Sequence, residues 1–362
     1  MGRGHWTRVC SNRAYLQYHR LIVFFQTQQV LNMNPYSLNV KKSLLTGIIL
    51  ALFTLPIHAN TIQIERTAKS NLIKLYSELA KTPNLSMSAR LDQISAVFLG
   101  KPYKLGALGE GGQGRYDQFP RYRDDAFDCE TFVDMVLGIA LSKELNDFEY
   151  CLNKIRYRQG KVDFLTRNHF TDLDWNQNNQ QQGFLQDITD QIKNAHNQPV
   201  AQIATATINK PGWYAHLNEA QIKLEKATPS KQRQRLLELK NKGQALPIIT
   251  SSIPYIPLTA LFDAKGNAND LLFKQIPNAS IIEIIRPNWD LRETIGTCLN
   301  VSHLGFAFWH DGVLIFREAS SEYHQVIDVP LIDYLKKALS SPTIKGVNIQ
   351  QVLPLTSKHQ RC

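Results

Sequence analysis

Cysteine is scarce in this chain, five residues in 362, which leaves no dense disulfide framework to hold a fold together. Long apolar runs are missing too. The most continuous, Leu44 to Leu55, stops at Pro56 and falls short of the roughly 18 to 20 residues that a membrane-spanning helix needs. Acidic residues are absent from Met1 to Ala59, where six basic ones stand (Arg3, Arg8, Arg13, Arg20, Lys41, Lys42). Most of the formal charge of +10 therefore belongs to that leader, and the remainder carries 35 basic against 31 acidic residues, or +4. Such a balance removes the electrostatic case for a nucleic-acid partner. No internal repeat is visible, and Cys298 with His303 lacks the paired-ligand spacing of a zinc site, so no metal and no cofactor is expected. What is present is core material: 43% apolar and 20% charged residues exclude wholesale disorder.

The leader has a readable layout. Lys41-Lys42, the apolar run and Pro56-Ile57-His58-Ala59 follow the basic, apolar, small-residue order of a secretory signal, with cleavage expected after Ala59. Met33 is the better-spaced start, which makes residues 1–32 an upstream stretch outside the native product. Residues 60–362 then read as one exported domain with an N-terminal helical segment and no membrane span. It retains Cys129, Cys151, Cys298 and Cys362, whose pairing the spacing does not decide.

Along that domain, helical recurrence marks Ile64 to Leu79 and Met87 to Phe98. Gly100 to Asp128 holds six glycines and two prolines and reads as a long functional loop. A strong amphipathic helix follows, with Phe132, Val133, Val136, Leu137, Ala140 and Leu141 in register with Cys129. Asp147 to Arg158 is a further helix, and the polar segment to Gly183 is an irregular excursion anchored by aromatics. Phe184 to Asn194 reads as a short helix, Val200 to Thr207 as a strand, and Glu219 to Lys242 as a charged helix interrupted at Pro229. Strands are expected at Ile248 to Ile256, Ile281 to Ile285, Ser302 to Phe308, Val313 to Phe316, Gln325 to Val329 and Val347 to Leu353, with a helix at Leu331 to Leu339. Helices first and strands afterwards define an α+β fold.

The chemistry begins at Cys129. Asp128 is a natural N-cap, so Cys129 becomes the first helical residue, where free N–H groups and the helix dipole favour a negative sulfur. Asp124, Asp125, Asp128 and Glu130 oppose this if they approach, so an activated thiol needs a cationic partner. His303 is the candidate. Alternation puts it on one strand face with Gly305 and Ala307, whose small size leaves an imidazole room. Asp311-Gly312 is a two-residue hairpin turn, and counting back from it sets Gly305 opposite Glu318 and His303 opposite Ser320. Either Glu318, diagonally placed, or Ser320, directly across, could orient the ring.

The order LGKPYKLG, a glycine-rich loop, FDCETFV at a helix start, SHLGF on a strand and FREASS on its hairpin partner resembles the NlpC-type, papain-like cysteine hydrolases of bacterial cell walls. The added IRYRQG and TRNHF segments are similar to the N-acetylmuramoyl-L-alanine amidase-like family among them, over most of residues 90–340. The resemblance implies a papain-like fold with Cys129 as nucleophile, His303 as general base and acid, and Tyr103 as a substrate or oxyanion contact. It adds His169 as a substrate contact, while the chemistry of Arg156, Arg158 and Arg167 suits either binding of stem-peptide carboxylates, with Arg167 taken as a substrate contact, or plain surface solubility. The third catalytic position, two before the serine of FREASS, is histidine or a neutral polar residue in many relatives and is Glu318 here. The implied partner is a peptidoglycan fragment in the periplasm or outside the cell, cut between N-acetylmuramic acid and L-alanine. A γ-D-glutamyl endopeptidase and a non-catalytic muropeptide-binding module are the competing readings.

Overall fold

The computed structural model describes residues 61–354 and Cys362. The signal read into residues 1–59 lies outside them. Four helices open the domain: α1 Thr61–Leu79, α2 Met87–Ala96, α3 Cys129–Ala140 and α4 Leu145–Arg156. On α1 the buried positions Ala68, Leu72, Tyr76 and Leu79 recur every three or four residues, the spacing of one helix face. α3 is buried nearly all round, and its start is fixed by a capping box. The Asp128 carboxylate accepts from the Thr131 backbone N–H at 2.8 Å, while the Asp128 N–H donates to Thr131 Oγ1 at 2.9 Å. At the far end of α3, the Arg90 guanidinium donates to the carbonyls of Ala140 (2.9 Å) and Ser142 (2.8 Å), which the helix terminus leaves unpaired. A disulfide joins Cys151 on α4 to Cys362.

The long loop from Gly100 ends where α3 begins. After α4 come short helical turns and α5 Asn176–Gln181, then α6 Lys210–His216 and α7 Pro229–Gly243. The eight strands are β1 Leu185–Asp187, β2 Gln202–Asn209, β3 Ile248–Pro257, β4 Ser280–Leu291, β5 Thr297–His310, β6 Val313–Ser320, β7 Gln325–Pro330 and β8 Gly346–Val352. Between β7 and β8 lies α8, Leu331–Ala338. The sheet is antiparallel in the order β2-β3-β8-β4-β5-β6-β7, with β1 paired to β8. β3 pairs along its length with β2 and reaches β8 only through Ile256 and Pro257.

The sheet separates two apolar layers. On one face α1 to α4 pack on Leu304, Phe306, Phe308 and Ala319, with Phe132 of α3 edge-on to Phe306 at 6.0 Å. On the other, Leu331 and Leu335 of α8 meet Ile282, Ile284, Ala307 and Phe316. Burying each such side chain contributes about 1.5 to 3 kcal/mol, so α3 is anchored by several wholly buried residues and holds its N-terminus in place.

The α+β organisation agrees with the sequence reading, and two of its elements do not. Phe184 to Asn194 is not a helix. Leu185–Asp187 forms β1 against Val352, Gln351 and Gln350, and Thr189–Gln191 is a single turn, because pairing with β8 outweighs weak local helical periodicity. The charged helix begins only at Pro229, whose fixed φ suits the first helical position behind the Thr228 cap. Glu219–Gln221 ahead of it is an isolated turn.

Candidate active site

Cys129 is the first residue of α3, half-buried, with its backbone N–H among those that no intrahelical carbonyl can reach. The cap that fixes it is itself tied down, because Asp128 Oδ2 accepts from the Gly106 N–H at 2.7 Å. Tyr103 is held against the same segment. Its backbone pairs with Phe127, its N–H donates to the His324 carbonyl at 2.8 Å, and Lys104 N–H donates to Phe127 O at 2.8 Å. The acids that threatened a negative sulfur are engaged elsewhere. Asp125 takes both donors of Arg123 at 2.7 Å, Asp124 accepts from Asn71 at 2.7 Å, and Asp128 is the cap. Glu130 is pushed well above the usual carboxylate range by burial, with Asp134 and Asp128 adding repulsion, which favours its neutral form.

His303 lies on β5, and Cys129 is among the groups close enough to its ring to raise its pKa. Glu318 of β6 brings Oε2 against His303 Nε2. That nitrogen makes no aligned hydrogen bond, so the contact is an ion pair approached off the N–H axis. The pairing behind it follows from the hairpin. Asp311 and Gly312 both have positive φ, 49° and 81°, as a type I′ turn demands, and the register His310↔Val313 to Phe306↔Arg317 carries Glu318 to the level of Gly305. Gly305 leaves the face open: a Cβ there would stand 2.6 Å from the Arg317 carbonyl and 2.8 Å from the Phe316 ring. Ser320, by contrast, is buried near the β6–β7 turn and accepts from the Tyr323 N–H at 3.4 Å.

A fourth group, absent from the sequence reading, completes the surroundings. Tyr334 of α8 lies nearly parallel to the His303 ring, with centroids 6.4 Å apart and planes at 22°, and edge-on to Phe316 at 5.1 Å. Burial disfavours a charged His303, but Tyr334, Glu318 and Cys129 outweigh it and hold the imidazole well above its ordinary pKa. Burial also raises the Tyr334 phenol, which favours its uncharged form near neutral pH and leaves Glu318 as the carboxylate beside the imidazole. Nothing in the sequence marks Tyr334; it is one aromatic on an ordinary amphipathic helix.

Arg167 and His169 are placed otherwise than a free substrate contact would be. The Arg167 guanidinium is bonded to Glu110 and to Asp117 Oδ2 at 3.0 Å, so its fork is filled from within the chain. Burial pushes Glu110 up to about 7 despite Arg167. Arg156 is likewise committed, with Nε 3.3 Å from Asp134 Oδ2 and Nη1 donating to the Gly109 carbonyl at 3.2 Å. The His169 ring is enclosed by Phe164 and Trp213, both 4.7 Å away between centroids, and its Nε2 bonds the Phe164 carbonyl at 2.8 Å. Burial, helped by Arg167, lowers its pKa well below the ordinary value and keeps it neutral. These residues build a wall that ties the glycine-rich loop to the segment after α4. Among the described residues no group of three histidine, cysteine or acidic side chains is arranged to hold a metal ion. Two described cavities, one of about 240 Å³ beside Gly114, Arg115 and α7 and one of about 370 Å³ beside Thr259, Phe262 and Asn267, are not lined by Cys129.

Fold and site together define an α+β protein with a thiol, an imidazole and a carboxylate converging at a helix N-terminus. Residues 93–344 match the AmiA-like, N-acetylmuramoyl-L-alanine amidase-like family, and the chain belongs to that family. Protein LPG0564 from Legionella pneumophila is 55% identical and superposes with a TM-score of 0.79, over 82% of this chain and 97% of its own. Two structures of an N-acetylmuramoyl-L-alanine amidase from Bacteroides uniformis are 24% and 25% identical, with TM-scores of 0.52 and 0.51, over 74% of this chain and 99% of theirs. No curated protein matches the chain.

Proposed function

We propose that this protein is a cysteine-dependent amidase of peptidoglycan fragments, papain-like and NlpC-type in its catalytic arrangement, that hydrolyses the bond between N-acetylmuramic acid and L-alanine. The observation that carries the reading is the convergence of Cys129, at the first position of α3, with a His303 ring held by Glu318. Membership of the amidase-like family supports the substrate class.

The chemistry follows from the groups at hand. The Cys129 thiolate attacks the lactoyl carbonyl of the muramic acid, and the charge that develops on its oxygen meets the free N–H groups at the start of α3. The imidazolium of His303 gives its proton to the departing nitrogen of L-alanine, which leaves as an amine and a thioester on Cys129. His303, now neutral, takes a proton from water, whose hydroxide adds to the thioester carbonyl. Collapse of that adduct releases the muramic acid carboxylate and restores the thiolate–imidazolium pair. Glu318 stabilises the imidazolium and fixes the ring, while Tyr334 closes one of its faces. Tyr103 is assigned to the substrate side of Cys129. Arg167 and His169 are assigned to the wall that shapes the cleft, and Ser320 to the turn behind it.

The protein acts outside the cytoplasm in this reading, exported by the signal in residues 1–59. The Cys151–Cys362 disulfide is consistent with an oxidising compartment. No helix among the described residues is long and apolar enough to cross a membrane.

Mass spectrometry of a defined muropeptide digest tests the reaction. Free amino sugar together with an intact stem peptide is expected. Cleavage within the stem would replace the amidase by an endopeptidase, and saturable binding without turnover would replace it by a binding module.

A further inference from the structure

Three arginines, Arg156, Arg167 and Arg286, differ in what they face. Arg156 and Arg167 face carboxylates of their own chain. Arg286 of β4 does not: among the described residues no carboxylate lies within ion-pair distance of it. Its Nε donates to Ser302 Oγ at 3.1 Å, Nη1 is bonded to Thr343 Oγ1, and its guanidinium lies over the Trp289 ring, 4.6 Å from the centroid. It is half-buried. A partly desolvated guanidinium without a counter-charge is costly to keep, and a carboxylate from outside would offset that cost.

The position is tied to the catalytic group. Ser302 precedes His303, and Ile284, two residues before Arg286, pairs with His303 across the sheet. Tyr334, whose ring lies against His303, is near enough to Arg286 for each to influence the ionisation of the other. The local backbone is irregular. Between the pairs Ile285↔Val301 and Trp289↔Leu299, three residues of β4 stand against the single Asn300 of β5. Asn288 within this bulge takes a left-handed conformation, φ 48°, and its N–H donates to Asn300 Oδ1 at 3.1 Å. Bulges re-aim side chains, and this one sets Arg286 and Trp289 at the end of the sheet that carries His303.

We propose that Arg286 anchors a carboxylate subsite of the cleft, with the α-carboxylate of the stem D-glutamate as its ligand, held by the guanidinium beside Tyr334. The identity of the ligand rests on the amidase reading. In a stem joined through the γ-carboxyl, that α-carboxylate is the free anion closest to the scissile amide, about two residues of extended chain or roughly 7 Å from it. Arginine suits it because its planar fork bonds a carboxylate through two donors.

The test uses two muramoyl tripeptides that differ only in whether the D-glutamate α-carboxyl is free or amidated. Binding to the full chain carrying Cys129→Ala is measured by calorimetry, and hydrolysis by the wild-type chain is followed in parallel. The free acid is expected to bind about ten- to a hundredfold more tightly than the amide. Arg286→Gln should abolish that preference by weakening the acid alone, and Arg286→Lys should retain part of it. The subsite is overturned if both tripeptides bind equally or neither binds, if the preference survives Arg286→Gln, or if that substitution weakens both ligands alike, as a structural role would. Preference for the acid without hydrolysis by the wild type would instead overturn the amidase reading and uphold the subsite.

Discussion

Replacing Glu283 by glutamine should stabilise the protein, and increasingly so as the pH rises. Glu283 is wholly buried in the middle of β4; one carboxyl oxygen accepts from Asn176 Nδ2 at 3.0 Å and the other has no partner. Burial pushes its pKa up from 4.5 to about 8, with Asp187 and Asp172 adding to the rise. The folded protein thus keeps this proton at pH values where the unfolded chain has released it. Stability from this group is fully present below about pH 4.5, falls as the pH rises toward 8, and levels off above. At about 1.4 kcal/mol per unit, the loss is about 3 kcal/mol by pH 7 and about 5 kcal/mol beyond pH 8. Glu283→Gln preserves the shape and the bond from Asn176 and never ionises, so the difference between variant and wild type should grow by those amounts. Urea unfolding of both proteins at pH 5, 7 and 8.5 measures it, and other titrating groups, such as Glu110 and Asp134, cancel in the difference. Parallel stability curves across that range would refute the reasoning, by showing that the carboxyl is ionised and satisfied in the folded state.

Glu318→Gln should leave measurable hydrolysis, reduced about ten- to a hundredfold, because it removes the charge that favours the imidazolium while keeping the shape. Since Glu318 helps to hold the His303 pKa above its ordinary value, the alkaline limb of kcat/KM should move to lower pH while the acid limb stays, narrowing the active range. An unshifted pH profile, with Ser320→Ala crippled instead, would reassign the orienting role. Breaking the Cys151–Cys362 bridge with Cys362→Ser releases a constraint across 211 residues of chain, worth up to about 5 kcal/mol in the chain-entropy account. Denaturant midpoints with and without reductant should show this for the wild type and not for the variant, while Cys129 stays the residue required for turnover.

The parts of the site legible in the sequence are those set by local rules. The Asp128 cap, the amphipathic stripe behind Cys129 and the Asp311-Gly312 turn each act within a few residues, and counting from that turn reaches Glu318. The parts that stayed hidden depend on contacts distant along the chain. Glu110 and Asp117 fill the Arg167 fork from 57 and 50 residues away, which no spacing rule reveals. The disulfide spans 211 residues. β1 is a strand because β8 offers it an edge, and Arg286 gains its significance from a bulge that periodicity does not mark. Tyr334 is brought to His303 only by the packing of α8 on the sheet.

The central claim is that the sulfur of Cys129 performs the hydrolysis. It is tested most directly by the rate at which purified Cys129→Ala protein releases L-alanine-terminated stem peptide from a muramoyl peptide, compared with wild type of equal melting temperature. The nucleophile assignment predicts a loss of at least about a thousandfold with no change in fold. Turnover by Cys129→Ala within tenfold of wild type would contradict it.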